Sequence, residues 1–294
     1  MTKLQKINGF ILKIIAIVLM TIDHVGIFLK AFNGSETAPY MCGNIFRYVG
    51  RLAFPLFVLM LVEGIRHSKS NFKYLTRIGI LMVTLTISEI IIFYFIDSSI
   101  EGAESPLVDL FMCGLVLALL HRKDKLSFLS LLPIGYILLA TTIQVIEKAN
   151  EISVVWFPFY IRPGYSLFAL MLSLGFYYSH PIIDKIVLKN NLSLEDFQKT
   201  PQYRLMVNAM QCTFLVAINI FIYFMAYITY NNITMFDIYN ASVETWSIFA
   251  ALIILFYNGK RGYNKKWFQY GSYLYFPVHI VIIFVIFYVI YMGK

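Results

Sequence analysis

The feature that most constrains this chain is a series of apolar segments, each about as long as a membrane-crossing helix. Such a helix needs about 20 mostly apolar residues. The segments lie near residues 10–31, 44–66, 73–96, 107–121, 126–146, 164–180, 207–230, 244–258 and 268–291. Hydrophobic residues make up 59% of the 294 residues and charged residues only 14%, which is far from the balance of a soluble domain. The sequence therefore predicts an all-α, polytopic integral membrane protein, a helical bundle of about nine transmembrane helices.

The loops between the segments carry their charges asymmetrically. Lys and Arg collect in alternate loops, whereas the intervening loops hold mostly Asp and Glu. Basic loops mark the cytoplasmic side of the cell membrane. We therefore predict a cytoplasmic N-terminus, an external C-terminus and a cytoplasmic loop over about residues 180–206, in which Ser193 can cap a short helix. We interpret residues 1–294 as a single transmembrane domain, and the net charge of +8 as a topology signal rather than a nucleic-acid surface.

Ionisable residues inside the apolar segments are the candidates for function, because each costs at least about 2.5–3.5 kcal/mol to insert. Asp23 and His24 lie roughly 20 Å from the cytoplasmic end of the first segment. Arg47 and Arg51 are four residues apart, so they share one face of the second segment. A histidine can take up and return a proton near neutral pH. Because adjacent residues point about 100° apart on a helix, Asp23 can orient a group other than His24.

Four further side chains extend this set. Glu89 and Asp109 fall at similar depth in the outer half of the membrane, where they either join the site or only hold helices together. Glu63 ends the second segment on the cytoplasmic side, as a site residue or as an interfacial carboxylate. His279 lies about 16 Å into the last segment. It follows Pro277, which is expected to kink the helix, and we interpret the pair as the wall of a site.

Five short strings, in order along the chain, match the motifs of a known family. They are Ile-Asp-His-Val-Gly at 22–26, Arg-Tyr-Val-Gly-Arg-Leu-Ala-Phe-Pro-Leu-Phe-Val-Leu-Met-Leu-Val-Glu-Gly at 47–64, Ile-Ser-Glu-Ile at 87–90, Leu-Phe-Tyr-Asn-Gly-Lys-Arg-Gly at 255–262 and Tyr-Phe-Pro-Val-His at 275–279. Together they resemble the motifs of the TraX family, whose named member acetylates the N-terminus of conjugative pilin. The third string continues as Ile-Ile-Phe-Tyr, where the family usually has a Pro-Phe-Asp-like string, so the acceptor stays open.

The resemblance implies a membrane acyltransferase that depends on acyl-CoA. It would move an acetyl or other acyl group from cytoplasmic acyl-CoA, its co-substrate, to an amine or hydroxyl on the outer side, in a peptide N-terminus or an envelope glycan. The expected catalytic residues are His24, Asp23 and His279, and the expected residues for substrate or acyl-CoA binding are Arg47, Arg51, Glu63, Glu89 and Asp109. Arg51 or His279 is expected to stabilise the thioester oxygen. No metal and no nucleic acid are expected as ligands, and the oligomeric state is left open.

Two other classes of protein compete with this hypothesis. A transporter of a small anionic solute or an envelope precursor would also bury charges, but the inverted repeats that favour transport are not evident in the sequence. A structural membrane subunit would not need Asp and His together at membrane depth.

Overall fold

A helix forms at every predicted segment. The structure, a computed structural model, describes residues 5–91, 104–122, 124–150, 152–230 and 244–292. Its α-helices are α1 (Gly9–Ala31), α2 (Ala38–Gly50), α3 (Ala53–His67), α4 (Asn71–Ile91), α5 (Pro106–Arg122), α6 (Leu131–Asn150), α7 (Ser166–Lys189), α8 (Leu194–Gln198), α9 (Pro201–Tyr230), α10 (Ala250–Leu255) and α11 (Lys266–Met292). Three 3-10 helices cover Lys125–Ser130, Phe159–Ile161 and Glu244–Phe249. Over these ranges no β-strand forms, so the predicted all-α class is confirmed.

Six of the helical segments are long and apolar enough to cross a membrane. They are Gly9–Ala31, Ala38–His67, Lys125–Glu147, Ser166–Lys189, Pro201–Thr229 and Lys266–Tyr291. On α11, Leu274, Val281 and Val289 are each at least 60% exposed, as expected for side chains that face lipid. The chain is therefore a polytopic membrane protein. The other predicted crossings correspond to α4, α5 and the shorter segment Glu244–Leu255, and the count of nine stays a prediction.

Some helix boundaries differ from those predicted. The predicted second segment is interrupted, because α2 ends at Gly50 and α3 begins at Ala53. The predicted loop at 180–206 is largely helical, since α7 continues to Lys189 and α9 begins at Pro201. Polar side chains end the apolar stretch of α7 without ending the helix. Ser193 caps α8 as predicted, accepting a hydrogen bond from the Asp196 backbone N–H.

The chain divides into two compact units, residues 1–57 with 179–294 and residues 58–178. In the first unit, α1 and α11 lie side by side and run in the same direction. Phe10 packs on Phe268 at the start of both helices, with 4.7 Å between the ring centroids. At their far ends the Asn33 side-chain amide donates to the Tyr291 hydroxyl at 3.0 Å. Residues at equal heights on these two helices are therefore neighbours.

The N-terminal segment of the first unit pairs with the loop that follows α10. The Ile7 N–H donates to the Phe256 carbonyl at 3.0 Å, and the Asn258 N–H donates to the Ile7 carbonyl at 2.8 Å. These residues hence lie on the same side of the membrane, which requires an even number of crossings between them. The predicted eight crossings meet this requirement, whereas the five long apolar helices between Ile7 and Phe256 alone would not.

The helix α9 supplies polar partners to the short segment Glu244–Leu255. The side-chain oxygen Oδ1 of Asn219 accepts from the Ser247 hydroxyl at 3.1 Å, and the side-chain amide of Asn208 donates to the Tyr257 backbone carbonyl just beyond the segment at 2.7 Å. Backbone that is not fully helical survives at membrane depth only where protein groups satisfy it. This side-chain support therefore lets a short, partly 3-10 segment pack within the first unit.

Candidate functional site

The site begins with a close crossing of α1 and α2. A Cβ on Gly26 would lie 2.8 Å from the Gly43 carbonyl oxygen, and one on Gly43 would lie 2.9 Å from that of Gly26. Further along, a Cβ on Gly50 would overlap with the side chain of Asp23. Only glycine permits backbones to approach this closely. The crossing therefore places the polar face of α2 directly against Asp23.

Two ion pairs form at this crossing. Arg47 Nη1 contacts Asp23 Oδ2, and Arg51 Nη1 lies 2.8 Å from Glu244 Oε1. All four side chains are less than 20% exposed. The pairs are not independent, because both arginines act electrostatically on both carboxylates. Two cations and two anions thus form a cluster without net charge, here called the charged cluster. The pairing offsets much of the cost of burying each charge.

Beside this charged cluster, two histidines pair across α1 and α11. His24 Nδ1 lies 2.6 Å from His279 Nε2, and the two rings stack with their centroids 4.8 Å apart. His279 Nδ1 lies 2.7 Å from the carbonyl oxygen of Tyr275, whose ring stacks on the imidazole. The Tyr275 hydroxyl in turn lies 2.7 Å from the Thr21 hydroxyl. Both rings are therefore fixed in orientation by neighbours on α1 and α11.

The carbonyl of Tyr275 assigns the tautomers of the pair when both rings are neutral. A carbonyl oxygen only accepts, so His279 Nδ1 must carry its proton. His279 Nε2 is then a lone pair, and it can only accept from a protonated His24 Nδ1. His24 Nε2 is consequently the unprotonated nitrogen of the pair. This is the nitrogen that a general base needs.

The structure brings together five of the eight predicted site residues, all in the first unit: Asp23, His24, Arg47, Arg51 and His279. Asp23 binds Arg47 rather than His24, in agreement with the angle between adjacent helical residues. The helix α11 continues through Pro277, and His279 is only 3% exposed.

The other predicted residues belong to residues 58–178, the second unit. Asp109 is fully buried, and its carboxylate accepts hydrogen bonds from the backbone N–H groups of Tyr165 and Ser166 at 2.9 and 2.7 Å. It therefore holds the turn that begins α7. Glu63 Oε2 lies 3.4 Å from His67 Nε2, one helical turn further along α3. Glu89 lies outside the residues whose side chains the structure describes.

Sequence reasoning missed Glu244, the carboxylate that pairs with Arg51. A signal was present, since Glu244 is an acidic residue at the first position of a predicted membrane segment. Tyr275 was also missed. It acts through its backbone carbonyl oxygen and the stacking of its ring, and neither role can be predicted from the residue type. Within the described part of the chain, no three His, Cys, Asp or Glu side chains are arranged as metal ligands.

The part of the site on α1 and α2, with Asp23, His24, Arg47 and Arg51, lies within the stretch of the chain that matches a known family. The family described as "TraX protein" matches residues 8–156, about half of the chain. A segment of 71 residues is 41% identical to the probable fimbrial assembly protein FimC, serogroup H1, of Dichelobacter nodosus, and it covers 24% of this chain and 27% of that protein. No solved structure matches the chain. By its sequence, therefore, this chain belongs to the TraX protein family.

Proposed function

We propose that this protein is a membrane acyltransferase that uses acyl-CoA and modifies an amine or hydroxyl at the outer side of the cell membrane. The observation that carries the proposal is the histidine pair, in which the Tyr275 carbonyl leaves His24 Nε2 unprotonated when both rings are neutral. Membership of the TraX family supports it. The name of the Dichelobacter nodosus relative, a probable fimbrial assembly protein, favours a fimbrial peptide over a glycan as the acceptor.

In the proposed reaction, His24 Nε2 removes the proton from the acceptor nitrogen or oxygen as that atom attacks the thioester carbonyl carbon. A C–N or C–O bond forms, and the carbonyl electrons move to the oxygen. The tetrahedral intermediate then collapses, the C–S bond breaks, and the thiolate of coenzyme A takes the proton from the His24 imidazolium. The products are the acylated acceptor and coenzyme A with a free thiol. The hydrogen bond to His279 keeps Nε2 directed at the acceptor.

The negative charge on the thioester oxygen needs a donor in the transition state. A guanidinium carries five N–H donors, so Arg51 can bind Glu244 and an oxyanion at the same time. Neutral His279 suits this role less well, because the hydrogen bonds to Tyr275 and His24 use both of its ring nitrogens. We therefore propose that Arg51 stabilises the oxyanion and that His279 positions His24.

A transporter of a small anionic solute is the alternative function. It would share the neutral cluster of buried charges, which could open around a solute. It gives no reason for a histidine pair in which a backbone carbonyl fixes the tautomers. The acyltransferase accounts for both features, and we prefer it on that ground.

The experiment uses inside-out membrane vesicles from cells that naturally carry the chain, so that its acceptor is present. Acetyl-CoA with a radiolabelled acetyl group is added outside, and label is followed into the peptide and glycan fractions of the lumen. We expect His24→Gln to lower incorporation by about 10²–10⁴-fold at equal amounts of folded protein. The matched control is His67→Gln, whose side chain is 70% exposed and should change little. Equal incorporation by wild type and His24→Gln would disprove the proposed role.

A further inference from the structure

The loop between α10 and α11 is held in one conformation by other parts of the first unit. The Gly9 N–H donates to the Lys260 carbonyl at 2.7 Å, next to the pairing of Ile7 described above. Gly262 has a φ of +70°, and a Cβ there would meet the side chain of Asn8. Gly259 has a φ of +71° and lies against Arg204 of α9. Residues 255–262, here called the basic loop, thus form a built surface at the start of α1.

Cationic side chains surround the basic loop. Arg204 is 9% exposed, and its guanidinium stacks over the Tyr257 ring at 4.5 Å. Lys260 and Arg261 lie exposed on the loop itself. Lys13, one turn into α1, is half-buried and close enough to Arg261 to be repelled by it. The segments 5–13 and 255–268 contain no Asp or Glu.

The acidic side chains of the described residues do not offset this positive charge, although the Lys13 ammonium also lies over the Phe268 ring, 5.6 Å from its centroid. Among the ion pairs of the described residues, none involves Lys13, Lys260 or Arg261. Like charges that lie close together destabilise the structure that holds them. A bound anion removes that repulsion and gains charge-assisted hydrogen bonds. The positive-inside tendency explains exposed cations in a loop, but not a lysine that lies half-buried beside an arginine.

The basic loop lies at the start of the helices that carry the histidine pair. It contacts the first residues of α1 and leads directly into α11, the two helices that carry His24 and His279. From Gly9 to His24 the rise along α1 is roughly 22 Å. A ligand with phosphates on the loop and a long arm along these helices would place its reactive end at the site.

We propose that the basic loop, with Lys13 and Arg204, binds the phosphate groups of acyl-CoA. The inference rests on the proposed function and adds to it the place where the co-substrate is anchored. The same phosphate chemistry occurs in anionic lipid headgroups. The arrangement of the loop at the start of α1 and α11 favours coenzyme A. Phosphates bound at the loop would align the pantetheine arm of coenzyme A with the helices that carry the histidine pair.

The test measures binding of coenzyme A to the full chain in nanodiscs of phosphatidylcholine, which offers no anionic lipid. The variant is the double substitution Lys260→Gln and Arg261→Gln, two exposed side chains whose loss should leave folding intact. The matched control is Lys185→Gln with Lys189→Gln, which removes two exposed charges from α7 of the same unit. We expect the variant to bind coenzyme A at least about tenfold more weakly, and the control to bind like wild type. Binding of pantetheine, which lacks the nucleotide phosphates, should be equal in all three proteins.

The outcomes separate this inference from the proposed function. If wild type binds coenzyme A and the variant binds it equally well, the docking site is disproved while the proposed function stands. If wild type does not bind coenzyme A at all, both fail. Nanodiscs that contain phosphatidylglycerol test the lipid source. If the variant binds phosphatidylglycerol more weakly than wild type but keeps its affinity for coenzyme A, the loop recognises membrane phosphates and the inference is overturned.

Discussion

At the scale of single residues, the chemistry proposed for His24 depends on what its partner can accept. His279 Nε2 accepts from His24 Nδ1 only because the Tyr275 carbonyl holds the His279 proton on Nδ1. The neighbouring carboxylate, Asp23, is committed to Arg47 and does not orient His24. The residue that sets the tautomer is thus a second histidine rather than an acid.

This arrangement predicts a graded response at position 279. In His279→Gln the amide oxygen can still accept from His24 Nδ1, whereas His279→Leu offers no acceptor. We expect transfer rates in the order wild type, His279→Gln, His279→Leu, with the last close to His24→Gln. The rates are measured at saturating acyl-CoA, together with the melting temperature of each variant. Equal loss in the glutamine and leucine variants, with unchanged stability, would contradict the positioning role.

At the scale of elements, the crossing of α1 and α2 decides whether the charged cluster exists. Three glycines permit it, and the one at position 50 lies directly against Asp23. Arg47 precedes this glycine by three residues and Arg51 follows it, so both side chains depend on the same close approach. A shift of α2 away from α1 would separate Asp23 from Arg47 before it affected any other contact of the cluster.

Gly50→Ala tests this dependence. The added methyl group overlaps with Asp23, so we expect a loss of stability of about 1–3 kcal/mol and a lower transfer rate. Gly271→Ala in α11 is the matched control, because a Cβ there meets nothing within 4 Å. That change should stabilise the helix by up to about 1 kcal/mol. Thermal unfolding in detergent measures both effects, and equal melting temperatures for the two variants would refute the close approach.

At the scale of the whole molecule, the topology follows from which segments lie together. The parallel pairing of α1 and α11 means that both helices cross in the same direction. The pairing of Ile7 with Phe256 and Asn258 requires an even number of crossings between them. Both statements agree with nine crossings, and the excess of basic loop residues predicts that the start of α1 lies in the cytoplasm.

We therefore expect the C-terminus to be external. Alkaline phosphatase fused after Lys294 should be active, since it folds only outside the cytoplasm, and a fluorescent protein fused at the same position should be dark. A fluorescent protein fused before Met1 is the control and should be bright. The opposite pattern at the C-terminus would mean an even total number of crossings, and it would contradict the predicted topology.

The sequence by itself determined the membrane class, the approximate positions of most helices and five residues of the candidate site. These follow from local properties: apolar length fixes where a helix can cross, and a charge inside such a segment is costly enough to mark a site. The strings that resemble TraX motifs also identified the family, because such a comparison needs only the order of residues along the chain.

Only the tertiary structure decided which of these residues act together. The sequence predicts Asp109 at the same depth as the cluster, yet its carboxylate accepts hydrogen bonds from the turn before α7, and Glu244 completes the cluster from a distant segment. The break between α2 and α3, the length of α7 and the tautomers of the histidine pair likewise depend on packing. The physical reason is that hydrogen bonds and ion pairs join residues by distance in space, whereas periodicity and hydropathy report only on neighbours in sequence.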